Sequence, residues 1–527
     1  MNDASQSRFA RGLIQGWAHR LGQGWAHRLI QGWAHRLGQG WAHRLGPSLL
    51  GCGVLGLPGA AMASGLDAPQ VGNGASSPLT VDGAAVHWNP GQLGYLERGT
   101  FDFGVGLIVG RVRHRRQRRA SYQYEDNLDF AEPIDPGDID PSKTGFADPV
   151  ASTPLGPSLD AFVAAPVIAD RLTIGGGFYV PYAAILNFPK DGAQRFALQS
   201  ISLVSAHTTL SAAVRVHDKV SIGAGVTYVF SFLELSKVQD FAAVDLLGDG
   251  LAGEPINQAN DFGSDAPASV RELDVMARPI SIERAVSHSA SFNVGLAIRP
   301  TDRIDLGLVY QHGSRLRFRG DFQLDMSDDF FTQDLAAQGL QYPDLVRGDA
   351  EIELSLPKRI TLGVGIDATE RLRIDTWASY ATYQEFDVID IELNSPDLAQ
   401  PELGIGTTAP QPLVRDWVGT IHVEVAPRIR ISDRLRVNTL LGYHSPASPD
   451  ATVDLASPDG HRIIFGGGVD VALSSRFSLL ADLEGQAIVP RTVTTSDFDL
   501  GNGEYGLFIG QVGLHGRLRF GNAPSAG

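Results

Sequence analysis

The chain has 527 residues with 43 basic and 59 acidic side chains, a net charge of −16, and 60 glycines. Beyond the first 63 residues no uncharged apolar run approaches the roughly 20 residues a membrane-crossing helix needs, so a helical membrane protein is excluded. The acidic balance speaks against nucleic acid as a partner and leaves a β-rich protein, soluble or membrane-bound.

The N-terminus carries "QGWAHRL" four times, from Gln15, Gln23, Gln31 and Gln39, at a period of eight. On a helix that period turns each histidine by about 80° beyond two full turns. His19, His27, His35 and His43 therefore share no face and form no metal site, and the unit is too short for a solenoid. The repeats add arginine and no acid, and the apolar stretch "SLLGCGVLGLPGAAMA" follows. Basic region, apolar region, then small residues at Ala61 and Ala63 form the pattern of a secretory signal peptide. Residues 1–63 are read as an expanded leader cleaved after Ala63; a lipoprotein-like site at Cys52 is the rival reading. Cys52 is the only cysteine, so the exported chain has no disulfide. Removing the leader's six arginines and one aspartate leaves 37 basic and 58 acidic residues, a charge of −21, which suits the bacterial envelope.

Residues 64–99 are small, Gly-rich and aperiodic, too few for a domain of their own; they form either a periplasmic tail or a plug. Alternation begins at Thr100. In "VSIGAGVTYVFSF", Val220, Ile222, Ala224, Val226, Tyr228, Phe230 and Phe232 share one parity, and small or polar residues share the other, as in a strand with one apolar face. The break before it, His217-Asp218, has counterparts in "ADR" (Ala169–Arg171), "TDR" (Thr301–Arg303), "ATER" (Ala368–Arg371), "ISDR" (Ile431–Arg434) and "SSR" (Ser474–Arg476). These are hairpin turns, and longer Asp-, Gly-, Pro- and Ser-rich segments follow each hairpin. The expected strands start near residues 100, 157, 171, 196, 219, 283, 303, 350, 371, 415, 434, 461, 476 and 505, and the last ends at Phe520. An even number of antiparallel strands, with short turns at one end and long loops at the other, describes a fourteen-stranded outer-membrane β-barrel. The short turns are then periplasmic.

The two faces agree with this. Phe508, Val512, Leu514, Leu518 and Phe520 oppose Gln511, His515, Arg517 and Arg519; Phe477, Leu479, Ala481 and Leu483 oppose Asp482, Glu484 and Gln486. Leu306, Leu308 and Tyr310 oppose Asp305, Gln311, Arg315 and Arg317. So many charges cannot line a dry core, whereas they can line a wet or plugged lumen while the apolar parity meets lipid. A closed barrel also leaves no edge strand unpaired in lipid.

Several stretches resemble the FadL-type family of outer-membrane transporters for long-chain fatty acids and other hydrophobic compounds. "HWNPGQL" resembles its N-terminal hatch, where the family carries Asn-Pro-Ala and this chain carries Asn89-Pro90-Gly91 beside Trp88. "IGGGFYVPY" (Ile174–Tyr182), "VHDKVSIGAGVTY", "LPKRITLGVG", "RDWVGTIHV" and the run from "LGYHSPASPD" to "LADLEGQ" are similar to later strands, in the family's order. The resemblance implies an all-β fold: a fourteen-stranded antiparallel transmembrane barrel with an N-terminal plug, divided as leader 1–63, hatch 64–99, barrel 100–520 and tail 521–527. It implies passive uptake of a hydrophobic small molecule across the Gram-negative outer membrane: landing on an outer groove, passing to a lumenal pocket, and leaving sideways through the wall. No cofactor is implied, and a plugged barrel needs no second copy to close it.

Within that frame Gly175-Gly176-Gly177 and Pro181 are candidates for the wall opening, because Gly permits bulges and Pro removes a donor; the alternative is that these glycines ease crowding. Asn89-Pro90-Gly91 makes the hatch turn, with Pro fixing φ and Gly tolerating positive φ, or else a surface turn in a tail. The loop 236–282 and the segment "SDDFFTQDLAAQGL" are long enough to build the outer groove. In the latter Ser327 is a candidate helix cap, and Phe330, Phe331 and Leu335 either face the groove or pack under neighbouring loops. For a carboxylate ligand, Arg317 and Arg373 are candidates, inward by parity; the competing reading pairs such arginines with interior acids such as Asp305 and Asp375. "RVRHRRQRR" (Arg111–Arg119) opens the first outer loop and suits contact with lipopolysaccharide. The alternating C-terminal strand ending at Phe520 resembles the signal read by the barrel-assembly machinery. Asp325, Asp328 and Asp329 match no EF-hand spacing. A porin and a lipid-hydrolysing barrel enzyme are the alternatives, although no G-x-S-x-G elbow is present.

Overall fold

The computed structural model describes residues 70–117, 147–240, 277–334, 336–338, 341–401, 406–411, 413–496 and 501–521. The expected leader with Cys52, residue Leu335, Arg118 and Arg119, most of the loop 236–282 with its "DFAAVDLL" stretch, and the tail beyond Gly521 lie outside the described residues.

Fourteen antiparallel strands form a closed barrel. They are β1 (Gly99–Arg116), β2 (Val150–Ser152 with Leu155–Ile168), β3 (Leu172–Asn187), β4 (Ser200–His217), β5 (Val220–Asp240), β6 (Ala277–Thr301) and β7 (Ile304–Gln311 with Arg315–Asp325). They continue as β8 (Leu345–Ser355 with Arg359–Asp367), β9 (Leu372–Ala381 with Val388–Asn394), β10 (Thr408–Pro410, Leu413–Val414 and Thr420–Arg430), β11 (Leu435–His444), β12 (Arg462–Ala472), β13 (Phe477–Val493) and β14 (Gly503–Phe520). The barrel closes where β1 pairs with β14, without interruption from Gly99↔Phe520 to Arg116↔Gly503.

All six short turns stand where the sequence places them, and the repeated chemistry has a local cause. His217 Nδ1, Thr301 Oγ1, Thr369 Oγ1, Ser432 Oγ and Ser474 Oγ each accept the backbone N–H two residues on, at 3.1–3.3 Å. This local bond substitutes for the ladder bond lost at the reversal. At the opposite end the strands outrun the bilayer. β5 has 21 residues and β6 has 25, about twice what a tilted strand needs to cross. Ser236–Asp240 and Ala277–Ser281 pair as strand, so the expected loop starts later. The basic run is likewise strand through Arg116: Arg111, Arg113 and Arg115 point outward, while His114 and Arg116 are buried.

Lipid-facing parity holds through the spanning region. Phe101, Phe103, Val105, Leu107 and Val109 of β1 are exposed, as are Phe508, Val512, Leu514, Leu518 and Phe520 of β14, while Asp102, Gln511 and His515 are buried. In β7 the parity inverts. His312-Gly313-Ser314 interrupts the strand; beyond it Leu316, Phe318, Phe322 and Leu324 are buried and Arg315, Arg317 and Arg319 face out. Arg317, expected to point inward, is 55% exposed and pairs with Glu351 at 3.0 Å and Glu353 at 2.9 Å. Three residues that leave the extended path shift the pattern by one, which moves every following side chain to the other face.

The outward placement of Val512 at mid-strand and of Phe101 near the periplasmic rim sets a graded expectation. Val512→Arg lowers unfolding stability in phospholipid bilayers by about 2–4 kcal/mol and Phe101→Arg by about 1 kcal/mol or less, measured by reversible urea unfolding. Equal losses at both positions would contradict the assigned depth.

Candidate functional site

Residues 70–98 run inside the barrel. The short helix α1 (Ala85–Trp88) and the 3-10 turn Pro90–Tyr95 meet at Asn89, which is completely buried. Its Oδ1 accepts from Gly91 N at 3.0 Å, and its Nδ2 donates to Pro78 O at 3.1 Å and to Leu296 O on β6 at 3.2 Å. Strand side chains reach in to meet the segment: Asn293 Nδ2 donates to Val86 O at 2.9 Å, Gln311 Nε2 to His87 O at 2.9 Å, and Asn438 Nδ2 to Gly74 O at 2.7 Å. At the periplasmic end Arg517 pairs with Asp82 of the segment and Asp102 of β1, and Asp102 Oδ2 also accepts from Gly83 N at 3.0 Å.

Glycines on adjacent strands make room for this packing. A methyl on Gly295 of β6 would fall 2.0 Å from Asn89 Oδ1, and one on Gly223 of β5 would fall 2.3 Å from Pro90 C. Gly223 and Gly295 are direct ladder partners. Gly91 itself has no positive φ; its lack of a side chain matters because a methyl there would meet Gly295 O at 2.8 Å.

The interior has two storeys, the lower one level with the segment, where Tyr95 lies 3.9 Å from Arg299 and Arg299 pairs with Asp305 at 2.9 Å. Toward the short turns the inward residues are charged: Arg373, for example, contacts Asp305 at 2.6 Å, Asp367 at 3.3 Å and Asp375 at 2.9 Å. Toward the long loops they are apolar, and Ile108, Leu186, Leu233, Phe318, Phe322 and Leu507 belong to one buried cluster. Phe331 is fully buried in it, with Phe330 edge-on at 5.1 Å. The two phenylalanines thus sit in the upper apolar storey, under the loops. Their helix is short, and Asp328 caps it in place of Ser327: Asp328 Oδ1 accepts from Phe330 N at 2.9 Å.

Between the storeys lies a cavity whose floor is formed by His87 and Trp88, with Tyr179, Tyr182, His207, Phe292, Arg359, Glu424 and Arg462 among its walls. Trp88 is fixed by donation from Nε1 to Val71 O at 2.8 Å and by edge contact with Trp377 at 6.4 Å. Nε2 of buried His207 has no hydrogen-bond partner among the described residues. Sequence reasoning missed His207, Arg359 and Arg462 because each is a single residue on a separate strand, without spacing to mark it.

Beside this cavity the barrel wall is incomplete. β2 pairs with β1 along Leu155–Ala164 but with β3 only from Ala161↔Phe178 downward. Among the described residues no ladder joins Leu155–Asp160 to Tyr179–Asn187; Asn187 N donating to Ser152 Oγ at 2.9 Å marks the far end of the gap. On its other side β3 bulges against β4, where Tyr179↔His207 is followed by Tyr182↔Ser205, so Val180 and Pro181 oppose Ala206 alone. Pro157 and Pro181 stand on the two lips, and Tyr179, Pro181 and Tyr182 also line the cavity. Gly175, Gly176 and Gly177 lie just below, still paired to Ala164, Val163 and Phe162. A methyl on Gly175 would meet Val86 Cγ2 at 2.8 Å, so the triplet admits the plug segment and borders the gap.

Residues 60–483 match the family described as outer membrane protein transport protein (OMPP1/FadL/TodX). The fold is similar to a FadL homologue of Pseudomonas aeruginosa, with TM-score 0.66 and 19% identity, covering 88% of this chain and 100% of that one. It is also similar to the P. putida toluene transporter TodX (TM-score 0.60, 14% identity, 86% and 100% covered) and the Ralstonia pickettii toluene transporter TbuX (0.57, 12%, 85% and 97%). No curated protein matches the chain in sequence.

The contacts of Asn89 lead to an expectation for the segment it holds. Asn89→Ala removes three hydrogen bonds and strands the buried Gly91 N–H and Pro78 carbonyl, at roughly 1 kcal/mol or more apiece, while Gly295→Ala presses a methyl onto the same side chain. In both variants the amides of residues 85–95 exchange with deuterium at least about tenfold faster. Unchanged exchange would mean that the segment is held elsewhere.

Proposed function

The chain belongs to the OMPP1/FadL/TodX family of outer-membrane β-barrel proteins, and from that footing we propose that it takes up hydrophobic compounds passively, through the lumen and out through the gap between β2 and β3. The adjacency of cavity and gap carries this reading: Tyr179, Pro181 and Tyr182 belong to both. Below, residues 70–98 act as the hatch, with Trp88, Asn89, Pro90 and Gly91 at its centre, so the straight path to the periplasm is filled. Above, the apolar storey holding Phe330 and Phe331 receives the ligand from the outer surface. Sideways exit places an apolar solute in the hydrocarbon of the membrane and avoids exposing it to lumenal water, a penalty of roughly 25 cal/mol per Å² of apolar surface.

The same reading assigns the remaining partners. The outward arginines Arg111, Arg113 and Arg115 contact the phosphates of lipopolysaccharide in the outer leaflet, the strand ending at Phe520 engages the barrel-assembly machinery, and the barrel works as a monomer. Arg317, on the outer face, has no place in the ligand path. Arg373 sits among three acids near the floor and holds the barrel end together.

Uptake of radiolabelled oleate and, separately, of toluene by cells lacking their own transporter tests the proposal. Leu159 and Val180 would be the next outward-facing pair if the β2–β3 ladder continued. Their double replacement by cysteine, oxidised, is expected to staple the lips and abolish uptake, and dithiothreitol to restore it. The native Cys52, in the expected leader, does not interfere. Full uptake with the staple formed would exclude the gap as the exit.

A further inference from the structure

The periplasmic end of the barrel holds a separate cavity of about 420 Å³, between the last residues of the plug segment and the seam where β1 meets β14. Four arginines line it: Arg98 at the end of the segment, Arg299 of β6, and Arg517 and Arg519 of β14. Two of them have carboxylate partners. Arg517 pairs with Asp82 and Asp102, and Arg299 pairs with Asp305 at 2.9 Å. The other two do not. Arg519 Nη1 donates to Ser478 Oγ at 3.1 Å, and neither Arg519 nor Arg98 forms an ion pair among the described residues. Glu97, the remaining acid of the lining, is exposed and pairs with neither. A third group points to the same place. Thr100 lines the cavity and is only 4% exposed, yet its Oγ1 has no hydrogen-bond partner among the described residues. Thr100 and Arg519 are direct ladder partners, which sets their side chains next to each other on the inner face, and Arg98 stands two residues before Thr100.

We infer that this cavity binds a phosphate group, as the free ion or as the head of a phospholipid, through Arg98, Thr100 and Arg519, and that the bound group ties the end of the plug segment to the β1–β14 seam. Two guanidinium groups without a carboxylate and one buried hydroxyl offer donors from three directions. A phosphate presents its oxygens in a tetrahedron and can accept from all three, whereas a planar carboxylate is satisfied by a single guanidinium fork. Partly buried cations and an unbonded hydroxyl both cost free energy when left without acceptors, and the phosphate offsets both costs at once. The cavity is larger than one phosphate, which leaves room for the glycerol of a lipid head or for water. Arg98 belongs to the segment, while Thr100 and Arg519 belong to the wall, so the ligand bridges the two. It acts beside the Arg517 bridge, which already joins Asp82 of the same segment to Asp102 of β1. The site lies apart from the proposed uptake route, and its ligand is held by the protein and is not cargo.

Deuterium exchange of the amides of residues 95–98 tests this, with the protein purified in octyl glucoside, a detergent without phosphate. Sodium phosphate is compared with sodium chloride and sodium acetate at equal ionic strength. Phosphate is expected to slow exchange about tenfold at roughly ten times its Kd, as mass action requires when only the seated segment binds; chloride and acetate are expected to leave it unchanged. Arg519→Gln and Thr100→Val are each expected to abolish the effect and Arg519→Lys to restore part of it, with heat-modifiable mobility in gels confirming that each variant is folded. Nanodiscs of phosphatidylglycerol and of an uncharged galactolipid separate the two sources. Slow exchange in phosphatidylglycerol alone, with no further response to added phosphate, assigns the site to a lipid head; a response to added phosphate in both lipids assigns it to the free ion. Absence of slowing by phosphate in detergent and by phosphatidylglycerol in discs would overturn the inference, as would equal slowing by acetate or an effect that survives in folded Arg519→Gln and Thr100→Val. The experiment does not read uptake, so its failure leaves the transport reading standing.

Discussion

Lipid offers no hydrogen bonds, so every backbone N–H and C=O within the membrane must find its partner in the protein. Closure of β1 on β14, pair by pair from Gly99↔Phe520 to Arg116↔Gly503, satisfies this constraint, and each departure from it has to be compensated. In β7–β9 the strand interruptions are bridged: Leu356 N donates to Ser314 O at 2.7 Å and Thr382 N to Lys358 O at 2.9 Å, and a 3-10 turn spans Tyr383–Glu385. Between β2 and β3 no such bridging joins Leu155–Asp160 to Tyr179–Asn187 among the described residues. Proline at 157 and 181 reduces the number of unpaired donors on the two lips. A membrane barrel that bridges the interruptions of β7–β9 and leaves this one open retains a feature that stability alone does not favour.

Closure also creates an interior that must be filled, and the filling follows from small residues. The close approach of the segment requires glycine at 223 and 295, where Pro90 and Asn89 respectively come against the wall. A buried amide with three satisfied bonds specifies position strongly, because any shift would leave polar atoms unpaired. The ion pairs of Arg517 with Asp82 and Asp102 add the same kind of constraint at the rim. Such buried pairs contribute little net stability compared with apolar packing; what they fix is the seat of residues 70–98 against β1 and β14.

The barrel was legible because its punctuation is chemical. His217, Thr301, Thr369, Ser432 and Ser474 each bond the amide two residues on, so the turns carry a repeated signature and the strand count follows from it. The lumenal polarity of Asp102, Gln511 and His515 was legible for the same reason, since alternation at period two leaves no freedom between turns. Legibility failed where the chain departs from extended geometry. One slip at His312–Ser314 sent Arg317 outward, and no residue within the segment announces the slip. Gly91 was read through φ when proximity to Gly295 explains it, because the contact spans some two hundred residues. Runs such as "LIV" at 107–109 and "AAIL" at 183–186 are apolar on both parities and were the available signal for the upper storey. The cavity was illegible: His207, His422, His444, Arg359 and Arg462 come from five strands, and only closure brings them together.

The interior arranged this way gives a direction to the proposed passage. Apolar side chains dominate near the loops, where Phe318, Phe322 and Leu507 are buried together. Polar and aromatic groups share the middle, and below them the segment around Asn89 fills the lumen. An apolar solute moving inward loses its favourable surroundings exactly as far down as His87 and Trp88. At that depth the wall opens at Tyr179–Tyr182 onto the level where Val105, Leu107 and Val109 face lipid. The outer hydrocarbon is then the nearest environment as apolar as the storey the solute came from. On the proposed route neither a moving hatch nor an energy source is needed for that step, because an apolar solute would partition down its own hydrophobic gradient as long as water-filled routes are less attractive than the gap.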